Sequence, residues 1–150
     1  MMVIWKDIPN YEGIYQISNY GEVMRLRSFD SRGHLRCSRI KKQSQNNDGY
    51  MVIGLHKDGV ETKYLVHRLV AQLFIPNPYD YKEVNHKDEN KHNNAVSNLE
   101  WCTHIYNANY GTAQKRRMIT LREKREEKWY YAKRRTFSER LHWGTSNWFT

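Results

Sequence analysis

The sequence predicts an α+β fold, with short strands first and helices last. Three observations carry this. The first 65 residues are cut by turn signals with alternating apolar runs between them. A helix-period segment stops at Pro76 and Pro78. The stretch from Thr112 to about Leu141 contains neither Gly nor Pro and is dominated by helix formers.

The elements follow in order. Ile8-Pro9-Asn10, Asn19-Tyr20-Gly21, Ser31-Arg32-Gly33 and Asn47-Asp48-Gly49 mark turns. Runs such as Ile14-Tyr15-Gln16-Ile17 and Val23-Met24-Arg25-Leu26 alternate with the period of a strand. Tyr50 to Leu55 and Thr62 to Val66, joined across Lys57-Asp58-Gly59, predict a hairpin. From His67 to Phe74, apolar residues at 69, 70, 73 and 74 have helical spacing, and the two prolines forbid continuation. Residues 81–98 are polar and Asn-rich, broken only by Val84 and Val96, a loop with embedded strand stubs. Thr103 is placed to cap a short helix that Gly111 ends. The long helix after it has sparse apolar positions (Met118, Ile119, Leu121, Trp129, Tyr130, Phe137, Leu141), so it should pack weakly and present a basic surface.

Composition narrows the class. At 150 residues the chain is one ordinary domain, or a small one with an appendage. No apolar run is long enough to span a membrane, and the N-terminus lacks the features of a signal peptide, so an intracellular location is expected. Only Cys37 and Cys102 are present, which excludes four-Cys zinc sites and fits free thiols better than a bridge. Net charge is +9, distributed as +3 over residues 1–80, −1 over 81–110 and +7 over 111–150. A surplus of this kind favours a polyanionic partner, because each cation on a phosphate releases counterions. A near-neutral centre between basic flanks suits a reaction site held on nucleic acid by its neighbours. Tyr11, Tyr15 and Tyr20 read as core of the first module rather than as base-stacking groups.

The informative stretch runs from Val84 to Asn109. Hydrolysing a phosphodiester requires an activated water, neutralised phosphate charge and a stabilised leaving oxygen. A neutral imidazole takes a proton near pH 7, which makes His86 the natural base. Carboxamide oxygens are hard, neutral ligands for Mg²⁺.

Val84-Asn85-His86, Asn93-Asn94, Ser97-Asn98-Leu99-Glu100-Trp101 and Asn107 resemble the HNH endonuclease family, in the branch of phage and intron homing endonucleases. Val66-His67-Arg68-Leu69-Val70-Ala71 and Phe74-Ile75-Pro76-Asn77-Pro78 are similar to the same branch, so the resemblance covers residues 66–110. Ile4 to Gly13, Tyr15 to Gly21 and Val23 resemble a nuclease-associated module that precedes such domains, implying a DNA-binding or positioning role.

The resemblance implies a ββα-metal (His-Me finger) core; with the β-rich N-terminal module and the basic helical C-terminal extension, the chain divides as 1–48, 49–111 and 112–150. It implies His86 as general base, Asn98 as the residue holding its loop, and Asn107 as a metal ligand on the helix. Asn85, where many relatives have Asp, would be the second ligand for Mg²⁺ or Mn²⁺. Two neutral ligands offer the ion no protein charge. His104, one turn before Asn107 on the same helix face, is the alternative helix ligand. Asn90, Asn93 and Asn94 read as turn residues, His67 as packing or a cap, and His92 as solvent-exposed.

Double-stranded DNA is the expected partner. Backbone contacts are expected from Arg25, Arg27, Lys41, Lys42, Arg68, Lys115, Arg116, Arg117, Arg122, Arg125, Arg134 and Arg135, which would position the enzyme without reading sequence. Products would carry 5′-phosphate and 3′-hydroxyl ends. A monomer would nick, whereas a homodimer would cut both strands. If the chain is phage-encoded, its compartment is the host bacterial cytoplasm. Two other readings stand beside this one: a cleavage-deficient DNA-binding protein acting as regulator or recruiter, and an RNA-directed protein.

Overall fold

The computed structural model describes residues 2–29 and 32–144, with the backbone alone for residue 113 and residues 133–144. The chain begins with β1 (Trp5–Asp7), β2 (Tyr15–Ser18), β3 (Val23–Arg25), β4 (Ser28–Phe29), β5 (Leu35–Arg36) and β6 (Arg39–Ile40). A three-stranded sheet follows, from β7 (Ser44–Gln45), β8 (Met51–Lys57) and β9 (Val60–Leu65). Then come α1 (Val66–Phe74), β10 (Glu83–His86), β11 (Leu99–Cys102), α2 (His104–Asn109) and α3 (Ala113–Gly144). This is the α+β order the sequence predicts.

The first sheet has the order β1-β2-β3-β6, and every pairing in it is antiparallel. The β8–β9 hairpin turns at Asp58-Gly59, both with positive φ (52° and 80°). Such a two-residue turn matches strand twist and favours Asp-Gly. Helix α1 buries Val66, His67, Leu69, Val70 and Ala71 and stops before Pro76. Trp101 Nε1 donates to Ile75 O (3.1 Å), tying β11 to the end of that helix.

One core runs through the first 107 residues, which form one compact unit. Ile8, Tyr15, Ile17 and Val23 from the N-terminal strands join Ile53, Leu55, Val66 and Val70 at 0–1 % exposure. Val84 and Leu99 extend that core beneath the β10–β11 hairpin. Tyr11 and Tyr15 are buried as the sequence suggests, but Tyr20 is 41 % exposed. It lies in the turn between β2 and β3.

The described residues from Ala108 onward form a second unit, dominated by α3. The side chains described on α3, including Met118, Leu121 and Trp129, are exposed. Hairpin β10–β11 followed by α2 is the ββα core, preceded by a β-rich segment and followed by a basic helix.

Candidate active site

Strands β10 and β11 pair with Glu83 opposite Cys102, Val84 opposite Trp101, Asn85 opposite Glu100 and His86 opposite Leu99. Strand periodicity then sorts the side chains. Val84, Leu99 and Trp101 pack against the core, whereas Glu83, Asn85 and Glu100 bond to one another or to α2, and His86 ends the strand.

His86 is buried, and its Nε2 lies 3.1 Å from Asn94 Oδ1. The Asn94 amide donates from Nδ2 to His92 O, so its oxygen faces the ring. A carbonyl oxygen only accepts, so Nε2 carries the proton and Nδ1 keeps the lone pair. Burial pushes the His86 pKa below its ordinary value, partly opposed by the Asn94 bond and the charge of Asp88. The ring is therefore neutral at pH 7, the form able to accept a proton.

Asn98 staples the loop that follows His86. Its Oδ1 accepts the Asp88 N–H (3.0 Å), and its Nδ2 donates to Asp88 Oδ1 and Asn93 O (both 2.8 Å). The Lys87 N–H also donates to Asn98 O (2.8 Å). Asp88 is held below the usual carboxylate range, first by Asn93 and then by the Asn90 N–H.

The two carboxamides considered as ligands each lean on a carboxylate. Asn85 Nδ2 donates to Glu100 Oε1 (2.8 Å), and Asn107 Nδ2 donates to Glu83 Oε2 (2.7 Å). His104 Nδ1 meets the other Glu83 oxygen at 2.7 Å. Bonds from Asn107 and then His104 hold the Glu83 pKa below its ordinary value. Among the described residues, no group of three or more His, Cys, Asp or Glu is placed to hold an ion. The oxygen-donor pair nonetheless fits a hard cation. With each amide nitrogen tied to a carboxylate, Oδ1 is the atom left for a ligand, and negative charge stands directly behind it.

A cleft of about 210 Å³ is lined by Tyr50, His67, Arg68, Glu83 and Asn107, with Leu65 and Val84. The Tyr50 and His67 rings also pack on His86, with centroids at 6.1 and 5.1 Å, and on each other at 4.8 Å. Tyr50 and His67 are thus shared neighbours of His86 and of the cleft that Asn107 lines. His67 Nδ1 is buried without a partner, and burial, more than the charges of His86, Arg68 and Lys91, lowers its pKa to about 3.

Comparison with known proteins matches this arrangement. The family model of HNH endonucleases covers residues 64–109, and that of the NUMOD4 motif covers residues 4–56. A solved structure of the HNH homing endonuclease I-HmuI superposes with a TM-score of 0.57 at 34% identity, covering 80% of this chain and 68% of that one. The chain belongs to the HNH endonuclease family. By sequence it is 45% identical over 103 residues to DNA endonuclease I-HmuI of Bacillus phage SP01, covering 69% of this chain and 54% of that protein. It is 32% identical over 97 residues to H-N-H endonuclease F-TflII of Escherichia phage T5, covering 63% of this chain and 45% of that one. The chain spans about half the length of these HNH relatives.

Within this HNH chain, Asn90 caps a turn at the His92 N–H as expected, and His92 is exposed. Asn94 is not a turn residue; it is buried against His86. Glu83, Glu100 and Tyr50 were not singled out by sequence reasoning. Glu83 carried one usable signal: it lies two residues before Asn85 in a strand, hence on the same face.

The basic residues are dispersed. Arg27, Lys42 and Arg68 are exposed, Arg68 on the cleft rim. Arg25 is half-buried, and the ammonium of half-buried Lys41 lies 5.4 Å from the Tyr15 ring centroid. Lys115, Arg116, Arg117, Arg122 and Arg125 are exposed on α3, with Arg122 paired to Glu126 at 2.9 Å. The side chains of Arg134, Arg135 and Trp143, and all of Trp148 and Phe149, lie outside the described residues. Cys37 is exposed and Cys102 buried, both free thiols. Among the described residues, no helix is long and apolar enough to cross a membrane.

Proposed function

We propose that this HNH chain is a metal-dependent endonuclease that hydrolyses phosphodiester bonds in double-stranded DNA, leaving 5′-phosphate and 3′-hydroxyl ends. The observation that carries the reading is the seat of His86: buried, with Nε2 3.1 Å from Asn94 Oδ1, so that a proton held on Nε2 leaves Nδ1 as the base. In this reading Nδ1 takes the proton of the attacking water as its oxygen bonds to phosphorus. Asn98 acts earlier, keeping the loop after His86 in one conformation. Arg68, on the cleft rim, holds a phosphate oxygen by charge-assisted hydrogen bonds.

Asn85 and Asn107 would hold Mg²⁺ or Mn²⁺ through their amide oxygens. When bound, the ion would neutralise the phosphate and the leaving 3′-oxygen. His104 is tied to Glu83 on an exposed face, and Asn107 lines the cleft, which favours Asn107 as the helix ligand. DNA binding and cleavage by I-HmuI support this reading, and a phage relative suits a chain that works inside a host cell. One site cuts one strand, so a monomer nicks, and a homodimer would be needed for a double-strand break.

The test is incubation of genomic DNA from the source and its host with Mg²⁺ or Mn²⁺, followed by mapping of strand breaks and their end groups. Wild type should introduce nicks that disappear with His86→Ala or with chelator. Tight binding without any break would leave the second reading, a cleavage-deficient regulator or recruiter, which the neutrality of Asn85 and Asn107 favours.

A further inference from the structure

The turn between β2 and β3 touches the active-site loop. A Cβ at Gly21 would stand 2.8 Å from Asn94 Cβ, 3.2 Å from Val66 Cγ1 and 3.4 Å from Asn94 O. Real Cβ atoms do not approach that closely, so the main chain at 21 is pressed against residue 94. One backbone bond, from Val96 N–H to Asn19 O (2.9 Å), ties the same turn to the same loop.

The turn is itself held firmly. Buried Ser18 accepts the Tyr20 and Glu22 N–H groups on its hydroxyl, at 3.2 and 3.0 Å. Asn19 Oδ1 accepts the Ile4 N–H (2.9 Å), and Gln43 Nε2 donates to Gly21 O (2.6 Å). A rigid turn therefore abuts Asn94, and the Asn94 amide abuts the His86 ring. The contact also needs glycine for a second reason: its φ is +86°.

We propose that the β2–β3 turn is a positioning element of the reaction centre. Gly21 sets where Asn94 sits, and Asn94 in turn fixes the tautomer and orientation of His86. The N-terminal segment then contributes to the chemical step and not only to holding DNA. This rests on His86 being the base, as proposed above.

The experiment uses the full chain and three variants: Asn94→Ala, Gly21→Ala and Gln43→Leu. Two quantities are read: kcat and KM on cleaved DNA, and the ring nitrogen shifts of His86 by NMR at a pH where it is neutral. Wild type should show one tautomer, protonated on Nε2. Asn94→Ala should give a mixture and lower kcat by about 10- to 100-fold with KM little changed, as expected when a base loses its orientation. Asn94→Asp, which keeps an acceptor at the same place, should restore the single tautomer.

Gly21→Ala should move kcat and the ring signals in the direction of Asn94→Ala. In the Asn94→Ala background it should cost nothing further in kcat, since coupled residues are not additive. Gln43→Leu loosens the turn without adding an atom at the contact, so it carries the test if Gly21→Ala does not fold. A rise in KM with kcat and tautomer at wild-type values in both turn variants would overturn the proposal, leaving the turn a DNA-holding element. The NMR arm needs no cleavage. A wild type with no nuclease activity would sink the proposed function alone, and an unaltered tautomer in Asn94→Ala would sink this inference alone.

Discussion

Asn85 and Asn107 are neutral, yet each shares its amide hydrogens with a carboxylate 2.7–2.8 Å away. A carboxylate on the nitrogen side polarises the amide and leaves more negative charge on its oxygen, as outer partners do for metal ligands generally. It also creates a constraint: Asn85→Asp alone would set two carboxylates against each other, and one would hold a proton. Exchanging the pair as Asn85→Asp with Glu100→Gln keeps one hydrogen bond with its polarity reversed and gives the ion a charged ligand. The expected outcome, read by Mn²⁺ titration, is about tenfold tighter binding in the double variant than in wild type. Asn85→Asp alone should gain less, and no gain in the double variant would remove Asn85 from the ligand set. Little of this pairing was legible in the sequence. Glu83 and Asn107 stand 24 residues apart, and only the return of α2 across the hairpin joins them. Asn90, Asn93 and Asn94 look alike as letters; burial alone separates the one that meets His86.

Elements whose limits are set by local chemistry could be read directly. Asp58-Gly59 fixes the β8–β9 turn, and Pro76 ends α1. Thr103 Oγ1 accepts the Tyr106 N–H (3.2 Å) at the start of α2. Strands β10 and β11 were harder to see, because a loop of polar residues separates the partners and each strand is only 4 residues long. Their pairing depends on tertiary support from α1 through Val84, Leu99 and Trp101. Helix α3 is the opposite case, a long helix evident from composition, whose described side chains are exposed. Such a helix draws little from apolar packing, and its surplus of cations suits contact with a phosphate backbone. Neutralising Lys115, Arg117 and Arg125 together as Gln should weaken binding to all duplex sequences alike. The slope of log K against log salt should become shallower by about 2–3, near 0.9 for each lost phosphate contact. An unchanged slope would make α3 a solvated helix without a DNA role.

At the scale of the whole molecule, the histidines set how stability responds to pH. His67 is 4 % exposed and lies between Tyr50 and His86, with its pKa lowered to about 3. Unfolded, it titrates near the ordinary histidine value of about 6.5. Below that pH the unfolded chain binds a proton that the folded chain refuses until about pH 3. Stability from this residue is therefore complete above about pH 6.5 and declines as pH falls. Glu83 and Asp88 act the same way only at lower pH, because their folded pKa values lie below the ordinary carboxylate range. The interval from pH 6.5 to 5 thus isolates histidine. There the cost from His67 should steepen toward about 1.4 kcal/mol per pH unit as pH approaches 5, and denaturant melts should show the midpoint falling accordingly. His67→Phe keeps an aromatic ring against Tyr50 and His86 but has nothing to titrate, so it should make the dependence over that interval shallower, leaving the part that buried His86 contributes. A wild-type midpoint that holds constant from pH 6.5 to 5 would mean that His67 accepts its proton without unfolding, and that the cleft beside it is wet rather than sealed.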